Sequence, residues 1–231
     1  EYEYTDEEHG VWSFVSEVLT PLQNRYSCEA FLEGRDALDL PDDHVPQLDN
    51  VSAKMEAETG FMLAPVGGLL DQSEFLPRLS QRVMRCTPYV RHSENPFFTP
   101  EPDIVHELRG HAPMFMHEPF AELSVQIGES AKKAVEVGDE DLLELIGLFY
   151  WYTVEYGLIR EDGNIKIFGA GNNGGIQDLL RSVDPTIEKK PFDLEKIKEL
   201  TIDYDAPQQV FYVAESYDQI IEIASELGKM A

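Results

Sequence analysis

The sequence predicts a mostly α chain with small β elements, an α+β arrangement. Three observations carry this. Apolar residues recur at helical spacing along most of the chain, and one run, LLELIGLFYWYTV, is apolar nearly all round, as a buried helix is. β-Prone runs are confined to two short stretches.

The elements follow in order. Thr5-Asp6-Glu7-Glu8 places a capping hydroxyl before an acidic first turn, and Val11, Phe14, Val15, Val18, Leu19 and Leu22 then fall on one helical face. The region from about 28 to 66 is broken by DLPDDHVPQLDN and reads as loops around short helices. After Gly67-Gly68, Ser73 is placed to cap a helix carrying Phe75, Leu76 and Leu79. In PFFTPEPDIVHELRGHAP, Thr99 is placed to cap a helix with Pro100 at its first position, where a missing N–H costs nothing. That helix carries Ile104, Val105 and Leu108 and meets Pro113. Two more helices follow, over about 119 to 137 and 139 to 156. Past Gly157, LIREDGNIKIF reads as a hairpin around Asp162-Gly163. The loop GAGNNGG leads into a further helix, QVFYVAES reads as a strand, and 217 to 229 as a last helix. No stretch suggests a parallel sheet.

The 231 residues, 42% hydrophobic, suffice for one substantial core, and no repeat or linker divides them. The expectation is a single domain over 1–231. Eighteen basic against forty-four acidic residues give a net charge of −26, which speaks against nucleic acid and anionic membranes as partners. The acidity is spread along the chain, as on a solvated surface. Two cysteines, Cys28 and Cys86, make no disulfide framework, and no apolar stretch reaches the ~18 residues of a membrane span. The acidic start EYEYTDEEHG has no signal-peptide pattern, so the expected location is cytoplasmic.

The stretch HELRGH sets His106 and His111 five residues apart. An ideal helix advances about 100° per residue, so positions four apart differ by about 40° and positions five apart by about 140°. Two histidines at this spacing reach one ion only across a helix irregularity, which Gly110 and Pro113 favour. Otherwise they are two partly buried histidines bonded to backbone. Glu155, inside LFYWYTVEYGL, is costly to bury ionised unless something pairs with it. A cation held by His106, His111 and Glu155 is one answer. Two imidazoles and one carboxylate are the donors of non-haem Fe(II) oxygenases, and zinc hydrolases use the same types.

Longer segments carry a resemblance. TPEPDIVHELRGHAPMF, FAELSVQIGESA and YWYTVEYGLI, with VPQLDNVS, TGFMLAPVGGLL, RVMRCTPYVRHSENPFFTPEPD and VFYVAES in the same order, resemble the pterin-dependent aromatic amino acid hydroxylases. The resemblance runs from about Tyr4 to Leu227 and implies that family's catalytic-domain fold. It also implies that His106, His111 and Glu155 hold Fe(II), with Tyr150 near the metal and Glu107 near a tetrahydropterin. Phe75 would stack on the pterin, and backbone at Gly68, Leu69 and Leu70 would meet its polar edge. Arg91 would pair with the carboxylate of a free aromatic amino acid, a task suited to guanidinium. Thr99, Pro100 and Pro102 would line that pocket, Trp151 and Tyr156 would wall the substrate ring, and Gly171 would approach the substrate through its backbone. The implied reaction uses O2 to hydroxylate the ring, with L-phenylalanine to tyrosine expected first. Another ring position (meta-tyrosine) or tryptophan as substrate is the nearest alternative. A zinc hydrolase with Glu107 as base, or a binding relic without activity, is more distant.

The chain departs from the family in places. Gly174-Gly175 stand where the animal enzymes have two serines, one of which supports an iron-ligating histidine. Asp71 and Gln72 replace small hydroxyl residues near the pterin, and TIDYDAPQQ is hard to align. Regulatory and tetramerisation segments are not seen, which raises the expectation of a monomer.

Overall fold

Thr5 closes the first helix reciprocally: its hydroxyl accepts the Glu8 N–H at 3.3 Å, and the Glu8 carboxylate accepts the Thr5 N–H at 2.7 Å. This computed structural model describes residues 1–99, 101–203 and 206–231. Helix α1 (Asp6–Tyr26) buries Val11, Val15 and Leu19 of the face read from the sequence together with Trp12, while Phe14 of that face is exposed and meets Phe97 edge-on. It also buries Ser16 and Gln23, polar residues on that inward side.

The 28–66 region resolves into α2 (Glu29–Leu38), α3 (Leu48–Thr59) and a strand, β1 (Met62–Pro65). Helix α4 (Gln72–Leu79) then crosses to β2 (Val83–Cys86), which pairs with β1 in parallel. Ser73 is not the cap of α4. Asp71 is: its Oδ1 accepts from Ser73 N at 2.8 Å and from Ser73 Oγ at 2.6 Å. A carboxylate outcompetes the hydroxyl two residues on because it takes both donors at once.

The expected start at Thr99-Pro100 is also corrected. Helical geometry begins at Ile104, and Asp103 Oδ1 accepts the His106 N–H at 3.1 Å. Thr99 instead bonds the Glu101 carbonyl, and Pro100 lies outside the described residues. The chain runs through a wide turn at His106–His111 into α5 (Ala112–Phe115), then α6 (Glu118–Val137) and α7 (Glu140–Tyr150).

Strands β3 (Leu158–Glu161) and β4 (Asn164–Ile167) form the expected hairpin. Asp162 and Gly163 have φ of 49° and 76°, the positive pair that a tight two-residue connection requires. Helices α8 (Ala170–Gly174) and α9 (Ile176–Val183), strand β5 (Glu188–Pro191), α10 (Leu194–Ile197), β6 (Val210–Ala214) and α11 (Tyr217–Met230) complete the order. The larger sheet runs β4-β3-β6-β5, with β6 parallel to both β3 and β5. Parallel pairing is therefore present in both sheets, against the sequence expectation. MLAP, VMRC and EKKP are four-residue strands, two of them ending in proline, and they are too short to show a periodicity.

The core is mainly aliphatic and is filled out by the fully buried rings of Trp12, Phe31, Phe61, Phe115, Phe120, Phe149, Phe168 and Phe211. No helix among the described residues is long and apolar enough to cross a membrane.

Candidate active site

The five-residue spacing of the histidines is met by a π turn. Ala112 donates its N–H to the Glu107 carbonyl, five residues back, so the helix is locally wider than an α-helix. The extra residue turns His106 and His111 to one side, their rings 4.8 Å apart at 76°. A second π turn ends α7 at Trp151–Glu155, with Tyr156 donating to the Trp151 carbonyl at 2.9 Å, and delivers Glu155 to the same place. Both ligand-bearing segments thus use the same irregularity.

His111 Nε2 lies 2.9 Å from Glu155 Oε1, and His106 Nε2 lies 3.5 Å from Glu155 Oε2. One donor atom from each of the three residues falls within 4.8 Å of the others. These residues fit a metal ion. His106 Nε2 is buried with no hydrogen-bond partner, and burial pushes its imidazole down to about 4, leaving a neutral lone pair. Desolvation would raise Glu155, but the two imidazoles outweigh it and hold the carboxyl at about 2, ionised. Desolvation would likewise lower His111, yet the Glu155 charge and hydrogen bond push it upward.

The triad opens into a cavity of about 550 Å³. Tyr150 stacks on His111 at 6.5 Å and 28°, and its buried hydroxyl is pushed well above the ordinary range by desolvation and by Glu155. Phe75 from α4 meets Tyr150 edge-on at 5.6 Å. Trp151 and Tyr156 lie 4.8 Å apart on the cavity wall, and Trp151 Nε1 donates to Gln208 Oε1 at 3.0 Å. Leu69, Leu70, Thr99, Pro102 and Gly171 also line the cavity. Gly171 abuts Tyr156, since a Cβ there would meet Tyr156 Cζ at 2.9 Å. Gly68 does not line it; a Cβ there would lie 4.0 Å from Glu101.

Glu107 lines the cavity with its Oε1 turned to Thr87, accepting from both N and Oγ1 at 3.2 Å. Burial pushes its carboxyl up to about 7. Arg91 is held by Asp103 in a two-point pair, Nε to Oδ2 at 3.0 Å and Nη2 to Oδ1 at 2.6 Å. Its Nη2 also donates to the Gly174 carbonyl at 3.1 Å.

Behind the histidines, α8 packs backbone to backbone against the π turn. A Cβ on Gly110 would sit 2.5 Å from the Ala170 carbonyl oxygen. Gln23 from α1 ties the two together, donating to the carbonyls of Arg109 at 3.2 Å and Asn173 at 2.9 Å. Ser27 donates to Asn173 Oδ1 at 2.6 Å. Sequence reasoning missed Asp103, Thr87, Gln23 and Asp178. Asp103 carried a usable signal, an aspartate directly before Ile104-Val105. Thr87 and Gln23 act from distant segments and carried none.

The comparisons agree with this geometry. The family model described as biopterin-dependent aromatic amino acid hydroxylase matches residues 1–229. Rat tyrosine 3-monooxygenase is 38% identical over 220 residues, 94% of this chain and 43% of the relative. Bovine phenylalanine-4-hydroxylase is 37% identical over 226 residues, 95% of this chain and 49% of the relative. The chain thus spans about half the length of the curated relatives it matches. The Chromobacterium violaceum phenylalanine hydroxylase structure with bound iron(III) and oxidised 7,8-dihydrobiopterin superposes with a TM-score of 0.90 at 27% identity, covering 99% of this chain and 83% of that one. With a family model matched over residues 1–229, this chain belongs to the biopterin-dependent aromatic amino acid hydroxylase family.

Proposed function

We propose that this chain is the catalytic unit of an Fe(II)- and tetrahydropterin-dependent monooxygenase that hydroxylates the ring of a free aromatic amino acid, L-phenylalanine first. The observation that carries it is a His-His-Glu triad, His111 buried and the other two part-buried, with an orphaned imidazole nitrogen, in a cavity that also presents a fixed guanidinium and an aromatic wall. Iron and tetrahydropterin, when bound, supply the oxygen activation and the two electrons that ring hydroxylation requires.

The chain's own residues do the positioning. His106, His111 and Glu155 would hold the metal, and all three line the cavity that would admit the reactants. Arg91 is immobilised by Asp103, and its Nη1, whose protein contact is a long 3.5 Å donation to the Pro96 carbonyl, receives the substrate carboxylate. Trp151 and Tyr156, in contact with each other, wall one side of the ring, and Phe75 offers a flat apolar face to the pterin. Enclosure excludes water while the reactants are held in register. Glu107, occupied with Thr87, orders the pterin side of the cavity and is poorly placed as the base of a hydrolase. The relatives that act on tyrosine and on phenylalanine are equally similar, so the substrate rests on the bacterial phenylalanine hydroxylases that share the fold.

The test is anaerobic loading with Fe(II), then tetrahydropterin, O2 and each of phenylalanine, tyrosine and tryptophan. Products are read by mass and by retention against para-, meta- and ortho-tyrosine, dihydroxyphenylalanine and hydroxytryptophan standards. Para-tyrosine from phenylalanine, abolished in Glu155→Ala, is the expected result. Another single product corrects the substrate or ring position. No product from any of them, in iron-loaded protein, refutes the reading.

A further inference from the structure

An α-amino acid is a zwitterion, and Arg91 accounts for only one of its charged ends. Asp178, the third residue of α9, lines the same cavity. Among the described residues, no donor hydrogen-bonds its carboxylate and no cation lies within ion-pair distance of it. The two cations that face it are engaged elsewhere: Arg91 with Asp103, and Arg181 with the Gln208 carbonyl at 2.8 Å. A part-buried carboxylate without a partner is costly, and protein interiors rarely tolerate one that serves nothing.

Its placement depends on the glycine pair that departs from the family pattern. Asp178 folds back over Gly175, its Oδ2 lying 2.8 Å from where a Cβ on that residue would be. The Gly171 carbonyl oxygen lies 3.1 Å from the same point. A side chain at 175 would therefore displace the carboxylate. One residue earlier, the Gly174 carbonyl holds Arg91. The same two glycines thus set the guanidinium and the carboxylate on adjoining parts of one wall.

We propose that Asp178 receives the α-ammonium group of the substrate, beside the carboxylate held by Arg91. The cavity then reads the free amino acid by both charges and discriminates against ligands that lack the amine. This rests on the reading of the cavity as an aromatic amino acid site. Burial pushes the Asp178 carboxyl up to about 6, against the pull of Arg181 and Arg91, so it is ionised at neutral pH and ready to accept the cation.

The experiment is anaerobic calorimetry on Fe(II)-loaded protein with L-phenylalanine and with 3-phenylpropanoate, which keeps ring and carboxylate but has no amine. Wild type is expected to bind phenylalanine about tenfold or more tightly than 3-phenylpropanoate, the range of a charge-assisted hydrogen bond. In Asp178→Asn that ratio falls towards one while 3-phenylpropanoate affinity is kept, which also reports an intact cavity. Asp178→Glu restores part of the ratio. A ratio unchanged in Asp178→Asn overturns the proposal, as does an equal loss of both ligands. Wild-type protein that binds neither ligand overturns the amino acid reading itself, and the proposal with it.

Discussion

Gly174 packs so closely on His106 that a Cβ at 174 would lie 2.8 Å from the His106 Cα. The obstacle is backbone, which cannot swing aside. In the animal enzymes a serine at this place supports a metal-ligating histidine; here the space is filled by the close approach of α8 to the π turn. Gly174→Ser should therefore destabilise the protein by about 1–3 kcal/mol, the usual cost of overpacking, and weaken metal binding. Thermal melts and Co(II) titration check both. A serine variant that binds metal as well as wild type would show that the turn relaxes around it.

Asp103 serves two structures at once. Its carboxylate pairs with Arg91 and also accepts the backbone N–H groups of Arg91 at 2.8 Å and His106 at 3.1 Å. Asp103→Ala leaves a buried guanidinium without its counter-charge and uncaps the helix that carries the histidines. The expected loss is about 3–5 kcal/mol in urea unfolding. Asp103→Asn keeps an acceptor for the N–H groups and should cost less. Equal losses in the two variants would mean that the charge matters little.

Much of this site was legible in the sequence, for a physical reason. Glu155 sits in a long apolar run where an ionisable group is conspicuous, and the odd spacing of His106 and His111 pointed to a helix irregularity that proved to be a π turn. The caps were harder. Asp71 and Asp103 each compete with a nearby hydroxyl residue, and only three-dimensional geometry shows which acceptor takes the donors. The parallel strands were hidden because four residues display no periodicity. Gln23 and Ser27 looked like ordinary helix-end polar residues, yet they bond Asn173 some 150 positions away. Asp178 resembled any solvated carboxylate on a helix until the cavity wall placed it beside Gly175.

Asp178 also makes a stability prediction for ligand-free protein. Its carboxyl is raised from 3.8 to about 6 on folding. A raised carboxyl leaves stability intact below the unfolded value and costs stability as pH climbs through the folded one. Asp178→Asn should melt like wild type below about pH 4 and gain with rising pH, to at most about 2 kcal/mol above pH 7. The group is partly screened, hence the upper bound. A variant less stable than wild type at neutral pH would mean that Asp178 holds the fold together.

Helices α4 and α7 meet in two rungs. One is the edge contact of Phe75 with Tyr150; the other, one helical turn back on each helix, sets the Gln72 side chain directly over Gly147. Gln72 replaces a small hydroxyl residue, and a methyl group at 147 would overlap its Oε1. That atom ends a flexible side chain, so Gly147→Ala should displace the amide into the cavity and leave the fold standing. Alanine's better helix propensity, worth up to about 1 kcal/mol, offsets the local crowding. Affinity for a tetrahydropterin with a dihydroxypropyl group at C6 should then fall several-fold relative to the 6-methyl compound, because the longer substituent would reach the displaced amide. Anaerobic fluorescence quenching with both pterins measures the ratio. Gln72→Ala in the Gly147→Ala background should restore it, since no amide remains to be displaced. An unchanged ratio in Gly147→Ala would place the C6 substituent elsewhere in the cavity.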